Sequence, residues 1–201
     1  MFEDVAVLWN ECARSERPDG VAWGDDRIPK KRFRSLQRAT ARAVFALLEG
    51  YINGVAVDIQ SVFDVDAMAP GDRELLLERA ADGRQRFKRF REKVLQYPKI
   101  AVLAQHPPIN GENPDLALVL RREREWRDFF MHPSPRLDEP TKAGREREFF
   151  DLELSDLGAL IDATISLIRE IDKALEGRFG SVSVWLFDRR PDGTFPNETF
   201  H

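Results

Sequence analysis

Arginine, aspartate and histidine lie close together in the run Arg127-Asp128-Phe129-Phe130-Met131-His132. Imidazole titrates near neutral pH, so His132 can accept or deliver a proton. A guanidinium stays charged and presents a planar fork of donors, so Arg127 can hold an oxyanion such as phosphate. If the run is helical, Asp128 and His132 form an i, i+4 pair on one face. Arg127 then sits about 100° round from Asp128, with a side chain long enough to reach back. An acid, a cation and a base can therefore converge, which suits proton transfer beside a developing negative charge.

The element that must carry them runs from Asn113 to Pro133. Asn113 is a good N-cap, Pro114 suits the first helical position, and Pro133 disfavours helix at His132. The triad thus falls at the C-terminal end of its helix, where the negative end of the macrodipole favours the imidazolium form of His132. Arg121, Arg122 and Arg124 extend a basic strip one to two turns upstream.

A chain of 201 residues with 42% hydrophobic content can bury a sizeable core, and we expect one domain over residues 1–201. A single cysteine, Cys12, rules out an internal disulfide framework and a cysteine-based zinc site within one chain. The three histidines are scattered, and no His/Asp/Glu spacing reads as a metal site, so no metal or cofactor is expected. The opening residues MFEDVAVLWNECAR lack a basic leader and no apolar run approaches a membrane span, which suits a cytoplasmic protein without a membrane anchor. The net charge of −4 argues against a general nucleic-acid coat. The basic residues are clumped, however, so local patches must carry any phosphate binding.

In chain order, residues 2–14 predict a short amphipathic helix with Phe2, Val5, Ala6, Leu8 and Trp9 on its apolar side, ended by the signals around Pro18 to Gly20. A long helix follows from about Pro29 to Phe63. Its apolar residues Leu36, Val44, Leu47, Leu48, Tyr51, Val55 and Ile59 recur at helical spacing, and small residues such as Ala41, Ala43 and Gly54 allow close approach. The cations from Lys30 to Arg42 on its first turns read as a solvated helix end. Helical spacing resumes from Asp72 to Tyr97, with a break expected at Asp82-Gly83. Arg84, Arg86, Lys88, Arg89, Arg91 and Lys93 make a second basic stretch, interleaved with Phe87 and Phe90. Phenylalanine at this spacing reads first as core and second as a base-stacking platform. His106, before two prolines, reads as a loop residue.

Residues 133–148 lack apolar periodicity and read as an exposed loop, placed to act as a substrate-contacting flap. From Phe149 a brief strand is expected, and then a helix capped by Ser155 or Asp156. That helix carries Leu157, Leu160, Ile161, Ile165, Ile168 and Ile171 on one stripe and ends at Gly177. The alternation in SVSVWLFDRRPDGTFP predicts a small terminal hairpin over residues 181–196. These elements make an all-α, up-and-down helical bundle with a small C-terminal β-hairpin.

At residues 30–180 the chain resembles the HEPN domains, helical bundles marked by Arg, a polar residue, three further residues and His near the end of a late helix. Here those positions are Arg127, Asp128 and His132, after the long Ala-rich helix RATARAVFALLEGYINGVAVDI and before a final amphipathic helix. The resemblance implies a metal-independent endoribonuclease, a toxin or defence effector restrained by an antitoxin or other regulatory protein. It implies that the 2′-OH of the RNA substrate attacks the adjacent phosphate, with Arg127, Asp128 and His132 catalytic and Arg121, Arg122 and Arg124 lining the RNA groove. It also implies a homodimer with two facing motifs, and Trp126, Phe129 and Phe130 at the contact; the residues read alone place Phe129, Phe130 and Met131 in the core and Trp126 under the loop. In one toxin branch a Tyr two residues after the His is modified by a nucleotidyltransferase antitoxin; here that position is Ser134. The residue after the Arg is frequently Asn in the family and is Asp128 here. The alternative is a non-catalytic helical interaction module in which the same three residues form a hydrogen-bond network.

Overall fold

The computed structural model describes residues 2–15, 27–80, 82–127, 152–175 and 186–196. These residues form an all-α bundle built around one long helix. Helix α1 spans Phe2–Ser15 and α2 spans Arg27–Val62, matching the expected boundaries within two residues or so. At 36 residues, α2 is about 54 Å long at ~1.5 Å per residue, and α1, α4 and α6 all pack on it. Helix α3 is Pro70–Leu77, α4 is Phe90–Ala101, α5 is Pro114–Arg122 and α6 is Leu154–Ala174. Helix α5 lies on α6, and α3 on α4.

The core follows from the apolar stripes. Val44, Leu48, Ile52 and Ile59 of α2 face Leu157, Leu160, Ile161, Leu167, Ile168 and Ile171 of α6 within one buried cluster. Leu116 and Val119 of α5 and Val94 and Tyr97 of α4 complete it. Truncating any of these fully buried aliphatic side chains to Ala costs about 2–5 kcal/mol.

Three boundaries differ from the sequence expectation, each for a reason outside the local pattern. Helix α3 stops at Leu77, not at Asp82-Gly83, because Glu78 adopts a left-handed conformation with φ 48°. That conformation is unfavourable for a residue with a Cβ. It is held because the Glu78 carboxylate accepts from the Lys88 backbone N–H at 3.2 Å and pairs with the buried Lys93 ammonium at 2.6 Å. The chain then reverses through Gly83, φ 80°, with Gly83 N–H donating to Ala80 O and Arg86 N–H donating to Glu78 O. Helix α4 continues through Pro98 to Ala101, where the sequence suggested a stop near Tyr97. Tyr97 is buried and donates its hydroxyl to Leu75 O at 3.3 Å, which fixes the residue that the proline would otherwise unsettle. Helix α6 is N-capped at Glu153 and not at Ser155 or Asp156. Ser155 instead donates to the Glu153 carboxylate, and Asp156 is drawn to Arg122.

Residues 186–196 lie across α1 and α6 as a strap. Asn10, buried on α1, treats the Phe195 peptide as a neighbouring strand would: its Oδ1 accepts from Phe195 N–H at 2.7 Å and its Nδ2 donates to Phe195 O at 3.1 Å. Trp9 Nε1 donates to Gly193 O at 2.6 Å. The Phe195 ring meets Phe2 edge-on with centroids 5.4 Å apart. The Arg189 guanidinium lies over the Trp9 ring at 5.0 Å and pairs with Asp162 of α6. Gly158 permits this approach, since a Cβ there would stand 2.9 Å from Arg189 and 3.2 Å from the Trp9 ring. The turn at Pro191 to Gly193 is present, with Gly193 at φ 80° and Gly193 N–H donating to Arg190 O at 2.8 Å. No strand occurs among the described residues; residues 181–185 of the expected hairpin lie outside them, as do 149–151 and Gly177.

Candidate functional site

Helix α5 begins as its sequence requires. Asn113 Oδ1 accepts from Leu116 N–H at 2.9 Å, Pro114 occupies the first turn, and Asn113 Nδ2 reaches Glu170 of α6 at 2.7 Å. The α-helical ladder then gives way. Glu123–Arg127 forms a π-helical segment, in which each turn takes one extra residue. Regular α-helical geometry on the way to the motif therefore extends as far as Arg122. Such single π turns are frequent at functional sites. The backbone of Arg127 closes the segment; its side chain, together with Asp128, Phe129, Phe130, His132 and the 133–148 loop, lies outside the described residues.

The two ends of that stretch are held together. On the leading side, Arg122 of α5 donates to Glu125 at 2.9 Å and to Asp156 of α6 at 2.5 Å, with its guanidinium 4.8 Å from the Trp126 ring. On the returning side, the buried Gln37 of α2 donates Nε2 to Leu152 O at 2.6 Å. The π segment also touches α2. The described residues that flank 128–151 thus lie at the junction of α2, α5 and α6.

The upstream arginines divide by role. Arg121 and Arg124 are exposed. Arg122, expected in the RNA groove, is largely buried and braces α5 to α6, with its Nε buried and unpartnered. Trp126, for which the sequence left both a dimer contact and packing under the loop open, is 3% exposed within the single chain and packs in its core.

One contribution was underrated by the sequence. Arg34, Arg38 and Arg42 lie on the stretch of α2 that carries Gln37, so the basic start of α2 stands beside the point where the motif segment re-enters. Burial, then the like charges of Arg42 and Arg34, push the Arg38 guanidinium below its ordinary value. The signal was present as i, i+4 arginine spacing, but its neighbour in space was not.

Elsewhere, His106 is exposed, and Lys93 of the second basic stretch is buried against Glu78 and Asn53. Cys12 is fully buried beside Thr40, 3.6 Å away, and burial pushes its thiol up to about 11. Among the described residues no group of three metal-ligating side chains gathers, and no helix is long and apolar enough to cross a membrane. An open cleft of about 470 Å³ beside α3, walled by Arg73, Glu74, Leu77 and Arg79, contains none of the motif residues. No family model, curated protein or solved structure matches this chain.

Proposed function

We propose that this chain is a HEPN-type, metal-independent endoribonuclease that works as a homodimer in the cytoplasm, as a toxin or defence effector held in check by a partner protein. In this reading the 2′-oxygen of a ribose forms a bond to the adjacent phosphorus as the bond to the 5′-oxygen breaks. His132 handles the proton moving from the 2′-OH or to the leaving 5′-oxygen. Arg127 balances the charge that builds on the phosphorane oxygens, and Asp128 orients the imidazole or holds Arg127. The products are a cyclic phosphate and a 5′-hydroxyl end.

The observation that supports this reading best is the junction of α2, α5 and α6. A π-helical segment ends on the motif arginine, and the same junction receives the chain again at Leu152 beside the arginines of α2. A rigid collar of this kind suits a site that must hold a cation and a base in register while RNA enters. The test is RNA cleavage in excess chelator by the parent, His132→Ala and Arg127→Ala, with mapping of the product ends. Chelator-resistant cleavage to cyclic phosphate, lost in both variants while they stay folded and dimeric, supports the proposal; cleavage by the variants at the parent's rate overturns it.

A second reading, a non-catalytic interaction module, draws on Arg122. That arginine is already committed to structure by two carboxylates and a tryptophan ring. If Arg127 and His132 are engaged in the same way, no RNA is cut and the surface around the junction binds a protein partner.

A further inference from the structure

Phe87 is the most exposed large hydrophobic side chain among the described residues, at 75%, while Phe90, three residues on, is 8% exposed and packs in the core. An isolated apolar side chain on a surface is ordinary. Phe87 is not isolated in its chemistry. Arg84, Arg86, Lys88, Arg89 and Arg91 surround it in sequence, and the four arginines are exposed. Arg84 makes one loose, solvent-exposed contact with Asp82 at 3.4 Å, and Arg86, Arg89 and Arg91 have no ion-pair partner among the described residues. A chain of net charge −4 thus carries five cations within four residues of one bare aromatic ring.

The segment is also held in shape. The antiparallel bridge between Arg79 and Gln85, the Arg86 N–H to Glu78 O bond at 2.6 Å and the Glu78 carboxylate on Lys88 N–H fix its entry. Glu92 accepts from Arg89 N–H at 3.1 Å and fixes its exit into α4. The single acidic side chain of the exit is thus turned to the backbone, and Glu78 is turned inward to Lys93. The ordering entropy that a flexible binding loop would lose has already been met by folding.

We propose that residues 82–91 form a platform for single-stranded nucleic acid, on which Phe87 stacks a base while Arg84, Arg86, Arg89 and Arg91 contact the flanking phosphates. A fixed ring set among cations is what sequence-tolerant single-strand binding uses, because every base has a π-face and every linkage has a charge. A duplex hides its base faces and would meet the arginines alone. The platform lies away from the junction of α2, α5 and α6. Lys93, at its foot, contacts Asn53 on α2, whereas Gln37 marks the motif junction. The sixteen residue steps from Gln37 to Asn53 span about 24 Å of helix. It therefore acts as a separate foothold, and it does not depend on the chemistry proposed for Arg127 and His132.

The test uses the full-length protein and a fluorescent oligothymidylate of about twelve nucleotides, within the usual single-strand site size. This probe lacks the 2′-OH, so failure of the ribonuclease proposal leaves it unaffected. Anisotropy is read across a salt series. Phe87→Ala is expected to weaken binding about tenfold and Phe87→Leu about as much, while Phe87→Trp retains it. Arg86→Ala lowers affinity and reduces the salt slope by about one. All four variants keep the parent's thermal midpoint, as their side chains are exposed. The proposal is overturned if Phe87→Leu binds like the parent, since an apolar contact rather than a stacked ring would then suffice. It is equally overturned if a duplex of the same length binds as tightly as the single strand, or if the protein ignores the oligonucleotide and binds phosphatidylserine vesicles through Phe87.

Discussion

Replacing Arg122 separates a structural arginine from its two exposed neighbours, Arg121 and Arg124. Its side chain is 16% exposed, and its partners Glu125 and Asp156 are 35% and 43% exposed. Each of these partly solvated pairs contributes about 0.5–1 kcal/mol. The guanidinium over Trp126 adds about 1 kcal/mol, and the buried methylene stem about 1 kcal/mol. Against this stands the Nε–H, buried without an acceptor, which costs about 1 kcal/mol and is removed with the side chain. The net loss for Arg122→Ala is therefore about 2 kcal/mol, or about 4–8 °C in Tm for a domain of this size. Arg121→Ala and Arg124→Ala, both exposed, should stay within about 0.5 kcal/mol of the parent. The assay pairs urea unfolding with RNA binding over a salt series. If Arg121 and Arg124 touch phosphate, each substitution lowers the salt slope by about one without loss of stability. Arg122→Ala should do the reverse: stability falls, and the slope measured well below the new midpoint is unchanged. A stable Arg122→Ala protein with a reduced salt slope would show that the brace is unimportant and that Arg122 is a nucleic-acid contact after all.

Three further outcomes follow from the same geometry. Asn10→Ala leaves a buried N–H and a buried carbonyl of Phe195 unpaired, so it should cost about 2–4 kcal/mol and speed amide hydrogen exchange in residues 186–196 before the bundle opens; uniform exchange would mean that the strap is not separately held. Glu78→Ala strands the buried Lys93 and keeps the left-handed strain, whereas Glu78→Gly relieves the strain. Alanine should therefore be the worse of the two by about 1 kcal/mol, and equal midpoints would remove φ from the explanation. The Cys12 thiol, raised from 9.0 to about 11 chiefly by burial, is more protonated in the folded than in the unfolded chain. Its contribution is present in full below pH 9 and is lost as pH rises toward about 11, up to about 3 kcal/mol in all. Cys12→Ala should flatten the decline in stability between about pH 9 and 10, below the range where buried Tyr97, pushed up to about 12, joins in; an unchanged slope would assign the decline to other groups.

Periodicity made the long elements legible. The stripes of α2 and α6 and the Asn113-Pro114 start of α5 are local patterns whose consequences are local; the bounds of α2 and the start of α5 agree with the structure, and α6 is present but capped at Glu153. What escaped notice depends on residues distant in sequence. Nothing in EREWR announces a π turn, because its apolar spacing is compatible with an ordinary helix; the Arg122 pairing with Asp156 becomes visible only when α6 is in place. Glu78 resembles any surface glutamate until Lys93 arrives to hold it in a left-handed conformation. The alternation of the C-terminal segment was readable, but its destination on Asn10 and Trp9 was not. For the candidate site, the side chains of Arg127, Asp128 and His132 lie outside the described residues, and the structure adds only the junction of α2, α5 and α6 that flanks them in the chain, with Arg122 as its brace.

The strap has a consequence for the order of events during synthesis. Asn10 and Phe195 are separated by 185 residues, and Trp9 and Gly193 by 184. At a translation rate of about 5–20 residues per second, α1 emerges about 10–40 s before the segment that satisfies it. Throughout that interval α1 can settle on α2, but the Asn10 amide and the Trp9 indole must remain hydrated and the socket for Phe195 stands open. The nascent bundle therefore carries an apolar slot that its own distant segment closes, which makes the interval before residues 186–196 emerge the time when a chaperone, or the strap of a neighbouring copy, competes for the same place.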